Sequence, residues 1–492
     1  MDQSNFSTKT IHSFEELINT IHASMKLEED SISRIHSAYE YAKKKHFGQL
    51  RKNGDEFISH VLTVANYIAQ LKLDEISVIS ALLHDTVEKS DASIDEIDKV
   101  FGTSVAYIVD GLDDIRRFSR NITGEDSNRE EFKKLIFNST EDVRILIIRM
   151  AEKLHNLCTI TEKDSDESIN AAKRALNIYA PLCEYLNLSS FQRELEDRSF
   201  EIVCPKEYQF IKSAVQKYLY DQQSLIDEFK ERLLGIFSNY SALKNLTLTS
   251  RKKGLYSIFK KIKKKYADKY GGINEESFSK VLDIYAARVL VNTVEECYMV
   301  LGLIQSSFEV VQEEFSDYIV DPKDNGYRSI HVIVKFKGFT FEIQIRTYEM
   351  HEYNEYGPAS HIAYKAGGST KVLDMTWTKD LVKWQGSEQK EVYKIKAFSN
   401  SIFVFTPKGL VVRLEKGSTP IDFAFRIHTE IGKCYKGAKV NGKLVSMSTV
   451  LQTGDVVEIL TQNKPNLSLD WINIAKMNST KSKIRRCLGI YK

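Results

Sequence analysis

The 492-residue sequence predicts a multidomain α+β protein, with an all-α N-terminal block, a mixed α/β centre and a β-grasp unit near the end. Apolar residues recur at helical spacing from the start to about residue 200. The stretch NGYRSIHVIVKFKGFTFEIQIRT, Asn325 to Thr347, instead alternates with period 2 around a Lys337-Gly338 turn. Residues 400–463 hold two further hairpin signals with one helix start between them. Apolar content of 42% and charged content of 28% are those of an ordinary soluble protein, too long for one core. The net charge of +2 gives no general nucleic-acid signature, because the balance conceals local runs. Six scattered cysteines without a CxxC pair argue for a reducing compartment and against a disulfide framework. With no signal-like N-terminus and no apolar run of membrane length, the expectation is a cytoplasmic protein with no membrane partner.

In the first block, residues 1–200, Ser13 and Glu16 form a capping box opening the first helix. Helical spacing follows through Ile32–Ala42, Val61–Leu71, Ile76–Leu83, Val143–Ile148 and Ala171–Leu186. A lone histidine on a helix is usually structural. The adjacent pair His84-Asp85, with His60 about one helix earlier, is better placed to offer imidazole and carboxylate to one cation.

The centre, residues 201–395, opens with a long amphipathic pattern from Tyr208 to Phe237, read as one packing helix. The basic run RKKGLYSIFKKIKKK follows. Most such runs are solvated helix faces, but Arg251, Lys253, Lys260 and Lys261 bracket Tyr256-Ser257 at a spacing that suits a polyphosphate. VLDIYAARVLVN reads as an apolar strand interrupted by Asp283, a carboxylate that needs a partner such as a metal ion or a capped turn. In the Asn325–Thr347 hairpin, Ile330, Val332, Val334, Phe341, Ile343 and Ile345 take the core face. His331, Glu342, Gln344 and Arg346 share the other, which alternation alone reads as a solvated polar face. Trp377 and Trp384 fall in a polar connector. Beyond it, Thr419-Pro420 with Asp422 starts a helix, and Asn441-Gly442 turns a hairpin. Residues 464–492 read as the start of another helical region.

DYIVDPKDNGYRSIH followed by FEIQIRTYEMHEYNEYGPASHIAYK resembles the synthetase domain of the RelA/SpoT family of (p)ppGpp enzymes, a nucleotidyltransferase-like fold. HFGQLRKNGDEFISH, ALLHDTVE and RMAEKLHN resemble the family's HD-type hydrolase domain, and STPIDFAFRIHTEIG its TGS domain. The long form of the family carries zinc-finger and ACT-like modules beyond the point where this sequence stops, so the chain reads as C-terminally truncated.

The resemblance implies transfer of pyrophosphate from ATP to the 3′-OH of GDP or GTP. Asp283 would hold Mg²⁺, and Glu342 would orient the hydroxyl and take its proton. Arg251, Lys253, Ser257 and Lys261 would bind ATP. Tyr327 would stack on guanine, with His331, Gln344, Arg346 and His361 completing the acceptor pocket. In the N-terminal block it implies Mn²⁺ on His60, His84, Asp85 and a fourth carboxylate, with Arg51 and Asn156 contacting the nucleotide. Here the fourth carboxylate is Glu152 where the family has aspartate, longer by about 1.5 Å. The family's Glu-Asp pair after HD is Glu88-Lys89, and a charged lysine cannot accept a proton from the attacking water, so (p)ppGpp hydrolysis is expected to be weak or absent. The TGS resemblance implies contact with tRNA or the ribosome, with His428 as a candidate. A reading of another class is a nucleotide- and ribosome-sensing regulator whose HD block is only an allosteric or structural module.

Overall fold

The computed structural model describes residues 6–121, 142–161, 163, 165–323, 325–357, 401–407 and 411–490. His361 and the connector with Trp377 and Trp384 lie outside the described residues. The N-terminal block is helical throughout, and Ser13 and Glu16 close the capping box. One apolar core runs from Ile11 to Ile202. Helix Phe57–Gln70 carries His60 and is buried along most of its length. Helix Glu75–Leu83 stops just before His84, and the short helix Thr86–Lys89 begins just after Asp85. The His-Asp pair therefore sits at a break between helices, turned into the core at 1% and 5% exposure. Helices Thr103–Asn121 and Val143–Cys158 cross at Gly111, where a Cβ would lie 2.6 Å from Ile145 Cδ1. The small residue lets the two helices approach closely.

The long pattern from Tyr208 to Phe237 is not one helix but two, Pro205–Asp221 and Gln223–Ser238. The reason is that its halves serve different cores. Tyr208, Ile211 and Val215 pack with Ile258, Phe259 and Ile262. Ile226, Phe229, Leu233 and Phe237 pack beneath the sheet.

The sheet comprises β1 (Thr247–Lys252), β2 (Tyr285–Val291), β3 (Glu309–Val310), β4 (Ser316–Asp317), β5 (Ile330–Phe336) and β6 (Phe339–Thr347). Its order is β1-β2-β6-β5-β3, with β4 also on β5; β2 and β6 run parallel and the other pairs antiparallel. The β5–β6 turn has Lys337 at φ 48° and Gly338 at φ 84°, the left-handed pair that a two-residue hairpin requires. Two sequence expectations are corrected here. Asp283 lies two residues ahead of β2 rather than inside a strand. The polar parity of the hairpin is not solvated, since Gln344 and Arg346 are each 1% exposed.

The C-terminal unit has the hairpin of β7 (Ser401–Phe405) and β8 (Val411–Glu415), and a sheet of β9 (Tyr435–Val440) flanked by β10 (Lys443–Val445) and β11 (Val457–Thr461). Helix Pro420–Ile427, capped by Thr419 and Asp422, packs across them as the β-grasp expectation requires. Phe403 and Phe405 insert into the N-terminal core, and Tyr185 meets Phe403 edge-on at 6.0 Å. Among the described residues no helix is long and apolar enough to cross a membrane.

Candidate functional site

The central candidate is a cleft of about 420 Å³ above the polar face of the hairpin. Arg251, Lys253, Ser257, Asp283, Tyr327, His331, Glu342 and Gln344 all line it. Hydrogen bonds join several of them in series. Tyr327 Oη lies 2.9 Å from His331 Nε2, and His331 Nδ1 lies 3.3 Å from Glu342 Oε1. Gln344 Nε2 donates to Glu342 Oε2 at 2.9 Å, and Arg251 Nη1 donates to Gln344 Oε1 at 3.4 Å. Register explains the proximity: His331 stands opposite Gln344 across the hairpin, two residue pairs from Glu342 and on the same face.

Electrostatics follow from that chain. Burial pushes the Glu342 carboxyl up, but the His331 hydrogen bond and the nearby Arg251 and Lys253 charges bring it down to about 2. It is therefore ionised at neutral pH and can accept a hydrogen bond from a hydroxyl. Burial likewise raises the Tyr327 phenol, and His331, Arg346 and Arg251 more than offset this, leaving it at about 7.

Asp283 sits on two cations, 2.6 Å from Lys253 Nζ and 3.0 Å from Lys261 Nζ. Despite burial, these ammonium groups hold its carboxyl below the usual range. Oδ1 faces Lys261 and Oδ2 faces Lys253, so the carboxylate offers hard oxygen donors that fit Mg²⁺ once a lysine gives way. Lys260 also lines the cleft, paired with Glu196 at 2.8 Å and lying over the Tyr256 ring. Arg346 does not line the cleft; with Arg288 it is turned to buried Glu355, at 3.6 and 3.1 Å.

Several neighbours of these residues are absent from the sequence reading. Lys323 stands over the rings of Tyr318 and Tyr327, at 4.9 and 4.8 Å. Asp197 accepts the N–H groups of Leu255 and Tyr256 and so caps the helix of the basic run. Gly254, at that junction, would place a Cβ 3.1 Å from Arg193 Cγ, which accounts for a small residue there. Lys323 was accessible to inspection within DYIVDPKDNGYRS; Asp197, more than fifty residues from its partners, was not.

The N-terminal candidate gathers His60, His84 and Asp85, whose ligand atoms lie within 4.8 Å of one another. His60 Nε2 and His84 Nε2 are each 3.4 Å from Asp85 Oδ2. Proton positions can be assigned from the hydrogen bonds. His84 Nδ1 donates to Ala81 O at 2.7 Å, leaving Nε2 buried and without a partner. Arg51 Nη1 donates to His155 Nδ1 at 3.0 Å, and His60 Nδ1 lies 2.7 Å from the same nitrogen. Both Nε2 atoms face Asp85. Burial lowers His60 to about 4 and His84 below its usual value, so both rings are neutral at pH 7, the form that binds metal. The three donors fit a divalent ion with mixed nitrogen and oxygen preference.

Glu152 does not join them. Its Oε2 is held by Arg116 Nη2 at 2.8 Å and Arg149 Nη1 at 2.7 Å, while His60, His84 and Asp85 cluster without it. The two guanidinium charges outweigh burial and keep the Glu152 carboxyl well below its ordinary range. Asn156 is within reach of both Arg51, at 2.8 Å, and Glu152 Oε1, at 3.4 Å. Glu88 contacts Lys89 at 3.0 Å and Arg116 at 3.4 Å, while Lys89 itself remains exposed.

Residues 250–369 match the region found in RelA/SpoT proteins, residues 38–188 the HD domain and residues 402–461 the TGS domain. In chain order these matches fall on the helical block, the mixed sheet and the β-grasp unit, and the chain is similar to curated proteins over 92% of its length. It is 36% identical over 462 residues to a GTP pyrophosphokinase of Myxococcus xanthus, covering 92% of this chain and 60% of that protein. It is 39% identical over 462 residues to a guanosine-3′,5′-bis(diphosphate) 3′-pyrophosphohydrolase of Aquifex aeolicus, covering 92% and 64%. The chain thus spans about three fifths of the length of these curated relatives. Among solved structures, a small alarmone synthetase of Bacillus subtilis bound to pppGpp is 26% identical over 31% of this chain and 83% of that one, at a TM-score of 0.24.

Proposed function

We propose that this protein is a (p)ppGpp synthetase that transfers the β,γ-pyrophosphate of ATP to the ribose 3′-OH of GDP or GTP at the central cleft. The observation that carries the reading is the hydrogen-bonded series Tyr327–His331–Glu342–Gln344–Arg251, placed in one cleft with Asp283 and its two lysines. In the reaction the 3′-oxygen bonds to the β-phosphorus, the bond from that phosphorus to the α,β-bridging oxygen breaks, and AMP leaves with that oxygen. Glu342, ionised and oriented by His331, accepts the hydroxyl's hydrogen bond and receives its proton. Arg251, Lys253, Ser257 and Lys261 receive the triphosphate; both lysines exchange Asp283 for phosphate oxygens as ATP arrives. Tyr327 presents its ring to the guanine, with Lys323 on the same aromatic pair. Asp283 is the residue that would hold Mg²⁺, which when bound neutralises charge on the transferred phosphates. His361 and Arg346 belong to the acceptor side, Arg346 acting through its hold on Glu355.

The N-terminal cluster would hold Mn²⁺ on His60, His84 and Asp85, and with Arg51 and Asn156 forms a (p)ppGpp 3′-pyrophosphohydrolase centre of low activity. Bound Mn²⁺ would supply an activated water; Glu88, the remaining acid of its pair, is engaged by Lys89 and Arg116. The relatives' names include both activities, which favours this two-centre reading over a regulator without catalysis. Domain limits near residues 200, 395 and 463 accompany it, with exposed His428 on the TGS unit as a contact for tRNA or the ribosome.

The test is incubation of purified protein with ATP, GDP and Mg²⁺, followed by nucleotide chromatography. AMP and ppGpp should form in equal amounts. Absence of both, with ATP intact, would overturn the synthetase assignment.

A further inference from the structure

Arg116 is absorbed by no part of the proposed chemistry, yet it lies at the centre of the N-terminal carboxylates. It enters from helix Thr103–Asn121, brought close by the crossing at Gly111. Its side chain is 6% exposed. Nη1 lies 2.5 Å from Asp85 Oδ1, 3.4 Å from Glu88 Oε2 and 2.7 Å from the carbonyl oxygen of His84. Nη2 lies 2.8 Å from Glu152 Oε2. One guanidinium therefore touches three acidic side chains, on both sides of the histidine cluster.

A buried group of carboxylates needs a counter-cation, and a metal site ordinarily supplies it with the ion. Here part of that charge is already built into the chain. Asp85 has Oδ2 directed at the two histidines and Oδ1 at Arg116. Glu152, the residue at the fourth-ligand position, is turned to Arg116 and Arg149.

We propose that Arg116 is a resident cation of this centre: it holds Glu152 off the metal, leaves a three-ligand site of His60, His84 and Asp85, and lowers that site's affinity for divalent ions. The inference rests on the reading of the cluster as a metal centre. Two consequences follow from the geometry. The ion is shared with a fixed positive charge on the far oxygen of its own carboxylate ligand, which weakens binding. The acids that would assist a bound water are also held by the same guanidinium, so weak metal binding and weak hydrolysis have one cause.

The experiment is Mn²⁺ titration of the full chain, read by the electron paramagnetic resonance of free Mn²⁺, for wild type, His84→Ala, Glu152→Gln, Arg116→Met and Arg116→Met/Glu152→Gln. Changes to groups that orient metal ligands alter affinity by about 10- to 100-fold, which sets the scale. Arg116→Met should tighten Mn²⁺ binding by about tenfold or more, and the double variant should keep only the part of that gain that comes from removing the positive charge on Asp85, because Glu152, then held by Arg149 alone, supplies the rest. Glu152→Gln in the wild-type background should change affinity far less than His84→Ala. Tenfold weakening by Glu152→Gln alone, or no tightening in folded Arg116→Met, would overturn the role of Arg116. Should Arg116→Met not fold by circular dichroism, the Glu152→Gln comparison still decides whether Glu152 is a ligand. Mn²⁺ binding that survives His84→Ala unchanged would instead remove the metal-centre reading itself, and the inference with it.

Discussion

The two candidate centres both set acidic side chains against basic ones, but with cations of different freedom. In the central cleft Asp283 is paired with Lys253, which lines the open space, and with Lys261; their side chains are 25% and 14% exposed. In the N-terminal cluster Asp85, Glu88 and Glu152 share Arg116, which is 6% exposed and locked by several contacts at once. A lysine carries its charge on a flexible stem and can trade a carboxylate for a phosphate as substrate enters. A buried, multiply bonded arginine cannot move without leaving several carboxylates unpaired. The difference teaches that a cation on a catalytic acid can be a placeholder for substrate or a permanent occupant, and burial tells which.

The comparison breaks most readily at the centre. Glu342→Gln keeps shape and hydrogen bonding but removes the proton acceptor, so synthetase turnover should fall by ~10²-fold or more. Wild-type turnover in a folded Glu342→Gln protein would detach Glu342 from the chemistry.

A smaller effect is expected at Lys261, the second cation on Asp283. Hydrogen bonds to charged groups contribute about 1.5–3 kcal/mol, so Lys261→Ala should raise the KM for ATP by roughly ten- to hundredfold. An unchanged KM would mean that Lys261 stays with Asp283 throughout and is no placeholder.

At the N-terminal centre, wild type should hydrolyse ppGpp slowly, and Lys89→Asp should raise Mn²⁺-dependent pyrophosphate release by no more than about tenfold, because Arg116 still engages Glu88. Rapid hydrolysis by the wild type, unchanged by the substitution, would show that the locked arginine does not restrain the site.

The smallest effect concerns stability. Burial raises the Glu355 carboxyl, but Arg288 and Arg346 bring it down to about 2 from its ordinary value of 4.5. A carboxyl depressed on folding stabilises fully above its unfolded value and loses that contribution as pH falls through its folded value. The stability gap between wild type and Glu355→Gln, from urea denaturation, should be constant from neutral pH to about 4.5 and close as pH falls toward 2. A gap independent of pH down to 3 would mean that Glu355 is not held by the arginine pair.

Much of the fold was legible because its signals are local. The Ser13–Glu16 box, the Lys337-Gly338 turn and the Thr419–Asp422 cap each depend on residues within a few positions of one another. Strand alternation likewise put His331, Glu342 and Gln344 on one face, and the register of the hairpin then fixed their contacts. The same alternation misjudged that face as solvated, since periodicity reports which residues share a side and not what covers it. It also joined two helices into one, because a continuous amphipathic stripe does not say that its halves meet different cores.

By itself, then, the sequence determined the order of the helical, mixed and β-grasp units, most elements, and many but not all of the residues gathered at each centre. The tertiary structure alone decided the pairing of charges. Arg116 lies 36 residues from Glu152, and their meeting depends on how helices Thr103–Asn121 and Val143–Cys158 cross. No local pattern carries that information: an arginine on a helix reads the same whether its guanidinium ends in water or among buried carboxylates, and only the packing of distant segments settles which.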